Sequence, residues 1–428
     1  MSSVAEVMRL GTYRRFLAAA ICSGVAVWIF QTAIYWAALQ SGDTGTVGIL
    51  VAAISLPTLL LTLPAGYLTD RAGPFWLLFI GQAAPFLACA GGLALVAADG
   101  SVALEPAVVV TTVVGIAYAL WSVPALVYVT RIAPSGLMGA AISLMVLQYA
   151  TGRIVGGALG GALVEAGGAG LAFAVSAGMF ALGVLVVLSL PRIGGLDMRT
   201  GSTLRGMLEA VSWLRRAPAT LALVVLGALA SLLTYAYIPL LGALSRDVIG
   251  AGAAGLGILT ATSGVGMVAS ALTAHTVGNS LRRGRGVIAT MILGAIAMAA
   301  LGVSTVLIVS VALIVVVTYL GSTRSSMASY LMQSLTPPRL RGRVASLADF
   351  IAQIMSIGGS LAVGALAISL GPTTVLLWAG AATIVGVLVV TLIAPRLLSL
   401  DVDREAHPVI GDRPYAEGTA VHPVAETT

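Results

Sequence analysis

Lysine is absent from this chain: all 22 basic residues are arginine, which reads as codon bias rather than chemistry. Charge of either sign is scarce. Only 9% of residues are Asp, Glu or Arg, against roughly 25% in a soluble domain, so the chain cannot cover a water-facing surface. The two cysteines, Cys22 and Cys89, fall in apolar runs and read as small buried hydrophobes. There are three histidines, and no Cys/His metal spacing, HExxH, Walker A run or Asp-rich pair appears. No metal, cofactor, ATP-driven step or enzyme chemistry is therefore expected.

What is present is apolar. Of 428 residues, 59% are hydrophobic, and the mean hydropathy is +1.04. A hydrocarbon core about 30 Å thick takes roughly 20 helical residues. Runs of that size recur at 16–39, 46–68, 75–97, 107–129, 138–163, 170–190, 219–243, 253–277, 287–304, 306–332, 344–369 and 373–394. They predict an all-α membrane protein of twelve transmembrane helices, with the lipid bilayer as its medium. The stretch 287–332 has only the weak break Gly302-Val-Ser304-Thr305 to divide it. The first run is too long for a signal-peptide h-region.

The arginines orient these helices. With the N-terminus cytoplasmic, the inner loops hold Arg71, Arg131, Arg192 to Arg216, Arg282 to Arg285, Arg339 to Arg343 and Arg396, and the outer loops hold only Arg246. Such a bias places both termini in the cytoplasm. It also accounts for the net charge of +6 without nucleic acid as a partner. The longest interior polar stretch, 191–218, divides the chain into halves at 1–190 and 219–396. Within it, Leu204, Met207, Leu208, Val211 and Leu214 share a helical face, as in an interfacial helix; a solvated linker helix is the alternative. The tail 397–428 is polar and expected to be disordered.

The halves are related. Shifted by 203 residues, Pro134, Leu137, Gly139, Ser143 and Leu144 meet Pro337, Leu340, Gly342, Ser346 and Leu347. Ile154, Gly156, Gly161, Ala162 and Leu163 meet Ile357, Gly359, Gly364, Ala365 and Leu366. The fifth and eleventh helices become equivalents in two six-helix repeats, an arrangement that suits a secondary transporter with a midplane cavity.

Two motifs carry a resemblance. GYLTDRAG, with Gly66, Leu68, Asp70, Arg71 and Gly73, resembles the cytoplasmic loop motif of the major facilitator superfamily; Pro74 and Phe75 stand where the family has a basic pair. GRIVGGALGG resembles its antiporter motif through Gly152, Gly156, Gly160 and Gly161, with Gly157 in place of proline. SWLRRAP, SRDVIGAGAAGLGIL and LRGRVASL look like the drug-efflux branch that includes macrolide and siderophore exporters. The resemblance implies a monomeric, plasma-membrane exporter of a small amphipathic molecule, driven by protons. It also implies that Asp70 is a latch, pairing with Arg131 or with the positive end of the eleventh helix. An uptake permease on the same fold is the nearest rival. A membrane sensor or enzyme would need a catalytic constellation or an added domain.

Candidate site residues are polar groups inside spans. A charge within a span costs at least about 2.5–3.5 kcal/mol, so Arg153 should face a wet cavity or a partner, unless it snorkels to the outer headgroups. Arg324 is a second such charge; on a helical wheel it lies opposite Ser322, Ser326, Ser329 and Gln333, which predicts two separate faces. Asp349, Gln353, Ser356 and Ser360 form one polar stripe. Asp349 is the candidate proton carrier, or else a helix-end acid paired with Arg341 or Arg343. Trp28, Gln31 and Tyr35 share a face that could stack on an amphipathic ligand or simply pack. The i, i+4 spacing of Gly152, Gly156 and Gly160 lets backbones approach, either as plain packing or as a sliding interface between the halves. His275 reads as structural.

Overall fold

The computed structural model describes residues 2–42, 44–99, 103–194, 203–234, 237–280 and 284–399. The tail from 400 onward and the linker segment 195–202 lie outside the described residues, as do the side chain of His275 and those of Leu204 and Met207.

The described chain is helical throughout. A short α1 (Ser2–Arg9) precedes α2 (Gly11–Ser41), α3 (Thr44–Ala72), α4 (Pro74–Asp99) and α5 (Leu104–Ile132). Then come α6 (Met138–Leu188), α7 (Thr203–Leu214), α8 (Pro218–Leu229), α9 (Leu240–Ala243) and α10 (Gly252–Ser280). The chain closes with α11 (Gly284–Val303), α12 (Leu307–Leu335), α13 (Arg341–Ile393) and α14 (Arg396–Ser399). Among the described residues nine helices are long and apolar enough to cross a membrane. Two of these are double spans. α6 breaks at Gly167–Gly168 and α13 at Gly371, where φ values of 72° (Gly168) and 76° (Gly371) suit glycine alone. The broken segment from α8 to α9 supplies the twelfth span. The weak break in 287–332 is real: α11 ends at Val303, and Ser310 Oγ donates to Ser304 Oγ across the turn at 2.9 Å.

One expected helix is not continuous. The run 219–243 is helical only to Leu229, passes through a wide turn at Ala230–Thr234, and resumes at Leu240. Pro239 stands at the end of the break, just before the chain resumes as α9. Proline has no N–H to give the preceding turn, and it keeps the residue before it out of the helical region. The freed backbone is tolerated in a membrane because it borders a cavity. The amphipathic α7 does not extend this span: the two are bent by 108°. Ala210 and Leu214 are buried, whereas Leu208 is exposed.

Both described ends of the chain and α7 gather at one end of the bundle, called here the linker end. Tyr13 Oη donates to the Ala141 carbonyl there at 2.8 Å, and Arg285 Nε to the Leu398 carbonyl at 3.0 Å. The hydrophobic core forks toward that end. At the far end and the middle it is one body that draws on both halves, from Ile29, Leu50 and Phe173 to Leu256, Ile314 and Val363. At the linker end it becomes two separate bodies. Phe16, Trp121 and Tyr128 belong to the N-terminal half, and Leu223, Leu331 and Val344 to the C-terminal half. The halves are joined at the far end and parted at the linker end.

Glycines make the far-end junction. A methyl built at Gly161 would lie 2.6 Å from Gly257 Cα and 2.7 Å from the Ala253 carbonyl oxygen, so α6 and α10 cross backbone to backbone. A methyl at Gly364 would lie 3.1 Å from Gly48 Cα, a similar crossing of α13 on α3. Gly161 and Gly364 are partners in the 203-residue repeat, so the repeat preserves the two crossings between halves.

Candidate functional site

A cavity of about 510 Å³ lies between the halves, reaching from the linker end to the middle of the bundle. The C-terminal half supplies most of its wall, through α8, the broken segment, α12 and α13; Ser55 of α3 and Tyr149 and Arg153 of α6 come from the N-terminal half. Polar side chains dominate the wall of α12 and α13: Ser322, Arg324, Ser325, Ser329, Asp349, Gln353 and Ser356.

Arg153 does not snorkel. It is 8% exposed, about 22 Å along α6 from Met138 at the ~1.5 Å rise per residue. Its guanidinium carbon sits 4.6 Å from the centroid of the Trp28 ring, a cation–π contact. Nη1 approaches Met267 Sδ at 3.9 Å, while Nε and Nη2 have no hydrogen-bond partner among the described residues. Trp28 also meets Tyr149 edge-on, with centroids 6.3 Å apart. Trp28, Gln31 and Tyr35 do share a face, and it closes a narrow void on the far side of Arg153 together with Thr32, Leu256 and Thr260. The first-helix face and the buried arginine, read separately in the sequence, form one wall.

Arg324 is 6% exposed and lines the same cavity as Ser322, Ser325 and Ser329, with no ion pair among the described residues. Arg324 thus meets part of the face expected to diverge from it, Ser322 and Ser329, while Ser326 and Gln333 are not among the residues lining the cavity. A helical wheel places Cα atoms, but the long arginine side chain carries its charge around the helix flank.

Asp349 is exposed on the cavity wall. Neither expected helix-end partner reaches it: Arg341 Nε donates to the Thr336 carbonyl at 3.1 Å, and Arg343 pairs with Glu209 of α7. Gln353 and Ser356 continue the polar stripe into the cavity. Ser360, the fourth member of that stripe, is buried, and its hydroxyl donates back to the Ser356 carbonyl at 2.9 Å.

The glycine face of α6 is not where a sliding interface would need it. Methyls at Gly152, Gly156 and Gly160 would strike α2 of the same half, at the Gly24 carbonyl carbon (2.8 Å), the Val25 carbonyl oxygen (2.5 Å) and Thr32 Cβ (2.9 Å). The partner of Gly156 in the repeat, Gly359, approaches the Leu232 carbonyl oxygen in its own half in the same manner. The interface between halves falls one residue on, at Gly157 and Gly161. The helical repeat of 100° per residue separates the two faces.

At the linker end, Asp70 has no hydrogen bond or ion pair among the described residues, and Arg131 Nη1 donates instead to the Gly194 carbonyl at 2.6 Å. The N-terminus of α13 carries no side-chain cap. The expected latch is thus unmade where the halves are parted. Gly73, at φ 81°, turns the chain from α3 directly into α4, and Gly66 and Arg71 flank Asp70 on the last turns of α3. At the far end Arg246 holds Asp247 at 2.7 Å and also donates to the Leu39 carbonyl of α2, joining the halves. The hydrogen bond that Arg246 donates to Asp247 pushes its pKa up from its ordinary value and outweighs burial.

Sequence reasoning missed Tyr149, Met267, Ser231 and Tyr237, which also line the cavity. The spacing of Tyr149 one turn before Arg153 was a usable signal; Met267 and Ser231 gave none.

Comparison with solved structures returns full-length likeness at low identity. The nucleoside transporter NupG gives a TM-score of 0.70 at 12% identity over 90% of this chain and 99% of that one. A bacterial homolog of the human lysosomal transporter Spinster, inward-facing and unoccupied, gives 0.66 at 15% identity over 92% and 97%. The POT family transporter PepTSo gives 0.68 at 10% identity over 92% and 99%. A search of characterised protein sequences returned no significant match. The sequence profile of the Major Facilitator Superfamily matches residues 16–360. That profile covers most of the chain, and the twelve spans in two repeats around a shared cavity agree with it: the chain belongs to the major facilitator superfamily of transporters.

Proposed function

We propose that this protein exports a small amphipathic organic molecule across the plasma membrane in exchange for protons. In this reading it works as a monomer with both ends of the chain in the cytoplasm, and residues 1–190 and 219–396 rock as two units about the cavity. The arginine-rich loops at the linker end support that orientation. The forked core and open latch are then an inward-facing state, ready to load from the cytoplasm. Closure of the linker end would bring Asp70 to the uncapped N-terminus of α13, whose partial positive charge favours an anion. The sequence likeness to drug exporters supports outward transport, whereas solved neighbours at 10–15% identity share the fold and do not set a substrate.

The observation that carries the reading is Asp349, a carboxylate on the cavity wall with no partner among the described residues. A proton and a hydrogen-bond-donating or cationic group of the substrate compete for it, and that competition is the exchange. The charged groups sharing its cavity are Arg153 and Arg324, and the other titratable ones are Tyr149 and Tyr237. Arg341 and Arg343 on its own helix are engaged elsewhere. The test uses everted membrane vesicles loaded with rhodamine B under an imposed pH gradient, acidic inside. The gradient should accelerate loading by the parent and leave Asp349→Asn, present at equal amount in the membrane, unaffected. An equal response of both proteins removes Asp349 from coupling, and faster loss of dye from the lumen than in empty membranes would reverse the direction.

A further inference from the structure

Within this transporter reading, the cavity holds a more specific message about its occupant. Arg153 is more than nine-tenths buried, yet the nitrogens without a partner are Nε and Nη2. Those two atoms form one edge of the guanidinium, with parallel N–H bonds. That edge takes a carboxylate through both oxygens at once. The other edge is spoken for in part by Met267, and the planar face by Trp28. Among the described residues no acidic side chain lines the narrow void around Arg153, whose polar members include Gln31, Thr32, Tyr35 and Thr260. The nearest acid in the cavity is Asp349, which starts about 12 Å from the linker end of α13, against about 22 Å for Arg153 on α6, at ~1.5 Å per residue. They are separated by roughly 10 Å in depth.

Arg153, Arg324 and Asp349 are the ionisable cations and anion of the cavity wall, which leaves one positive charge over. A fold that keeps a cation dry and unpaired does so at a cost unless something completes it.

We infer that the substrate is an aromatic acid whose carboxylate seats on the free Nε–Nη2 edge of Arg153, with its ring system against Trp28 and Tyr149. The carboxylate leads into the dead end of the cavity, and the remainder of the molecule trails toward Asp349. A basic or donor group at that trailing end meets Asp349, so one molecule serves Arg153 and Asp349 and leaves the surplus positive charge on Arg324, while the proton competes only at Asp349. The inner wall recognises the substrate, and the outer wall couples it.

The test is direct binding to the purified full-length chain in detergent, read by quenching of tryptophan fluorescence, with rhodamine B and its ethyl ester as the probes. The two share an aromatic cation and differ in the free carboxylate. The parent should bind the acid at least tenfold more tightly than the ester. Arg153→Gln should abolish that preference, and Arg153→Lys, which keeps the charge but not the parallel N–H pair, should recover only part of it. The ligand-free melting temperature of Arg153→Gln should equal or exceed that of the parent, because an unpaired buried cation has been removed. Equal binding of acid and ester by the parent, or no binding of the acid, overturns the inference. So does a lower melting temperature of Arg153→Gln together with an undiminished acid preference, which would make Arg153 a packing residue. Asp349→Asn separates the two readings: it should keep the acid preference and lose only the pH dependence of binding. Retained pH dependence with the acid preference intact sinks the proton exchange and leaves the carboxylate seat standing, whereas loss of the acid preference sinks the seat.

Discussion

Replacing Gly161 by alanine should shift the protein between conformations without unfolding it. The added methyl would fall 2.6 Å from Gly257 Cα and 2.7 Å from the Ala253 carbonyl oxygen, closer than carbon tolerates, and both obstacles are backbone. α6 and α10 must separate, and they belong to different halves. Overpacking of this kind costs typically about 1–3 kcal/mol. Here the cost applies only while the far end is closed, because opening that end removes the contact. The equilibrium should therefore move toward the far-end-open state by about 5- to 150-fold. Gly156→Ala is the control. Its methyl would strike the Val25 carbonyl oxygen at 2.5 Å and Trp28 Cβ at 2.8 Å, inside one half, which in the proposed cycle moves as a body. That cost is present in both states, so it should lower the melting temperature and leave the conformational equilibrium alone. The assay is the spin-label distance between Glu105→Cys on α5 and Val306→Cys before α12, both exposed at the far end, in a background lacking Cys22 and Cys89. Gly161→Ala should populate a longer distance and Gly156→Ala should not. The reasoning fails if the two variants give the same distance distribution, or if Gly161→Ala loses stability with no change in distance.

Arg246→Gln should act in the same direction as Gly161→Ala, because it removes the link from Arg246 to the Leu39 carbonyl across the halves; a loss of about 1 kcal/mol would raise the far-end-open population several-fold in the same distance measurement. Membrane-impermeant labelling of single cysteines in whole cells should reach positions 165 and 246 from outside and should reach positions 71 and 131 only after permeabilisation.

The twelve spans were legible because length and hydropathy suffice where the solvent is hydrocarbon. Even the weak break at Gly302 to Thr305 proved to be a turn. The seventh span was misread as continuous because hydropathy does not register Pro239, which costs a hydrogen bond without adding charge. Arg153, Asp349 and the Trp28–Gln31–Tyr35 face were legible as isolated oddities, since polar groups in apolar runs stand out one at a time. Their meeting was not legible, because it depends on how α2, α6 and α13 cross. The glycines show the limit most clearly. Spacing along one helix identified the bare face at Gly152, Gly156 and Gly160, but only the packed bundle says that this face meets its own half and that Gly161 meets the other.

The glycine crossings at the far end also set how well the closed protein holds back water. A constriction made of side chains is only as tight as its rotamers, and exposed rotamers flip within picoseconds to nanoseconds. Each flip can admit a transient thread of water along which protons hop. Where α6 lies on α10 at Gly161 and Gly257, and α13 on α3 at Gly364 and Gly48, there is no side chain to flip. Such a seal opens only when whole helices part, a motion of microseconds to milliseconds. Its leak rate is then tied to the transport cycle itself, so a carrier that works against a gradient need not dissipate that gradient while it waits for cargo.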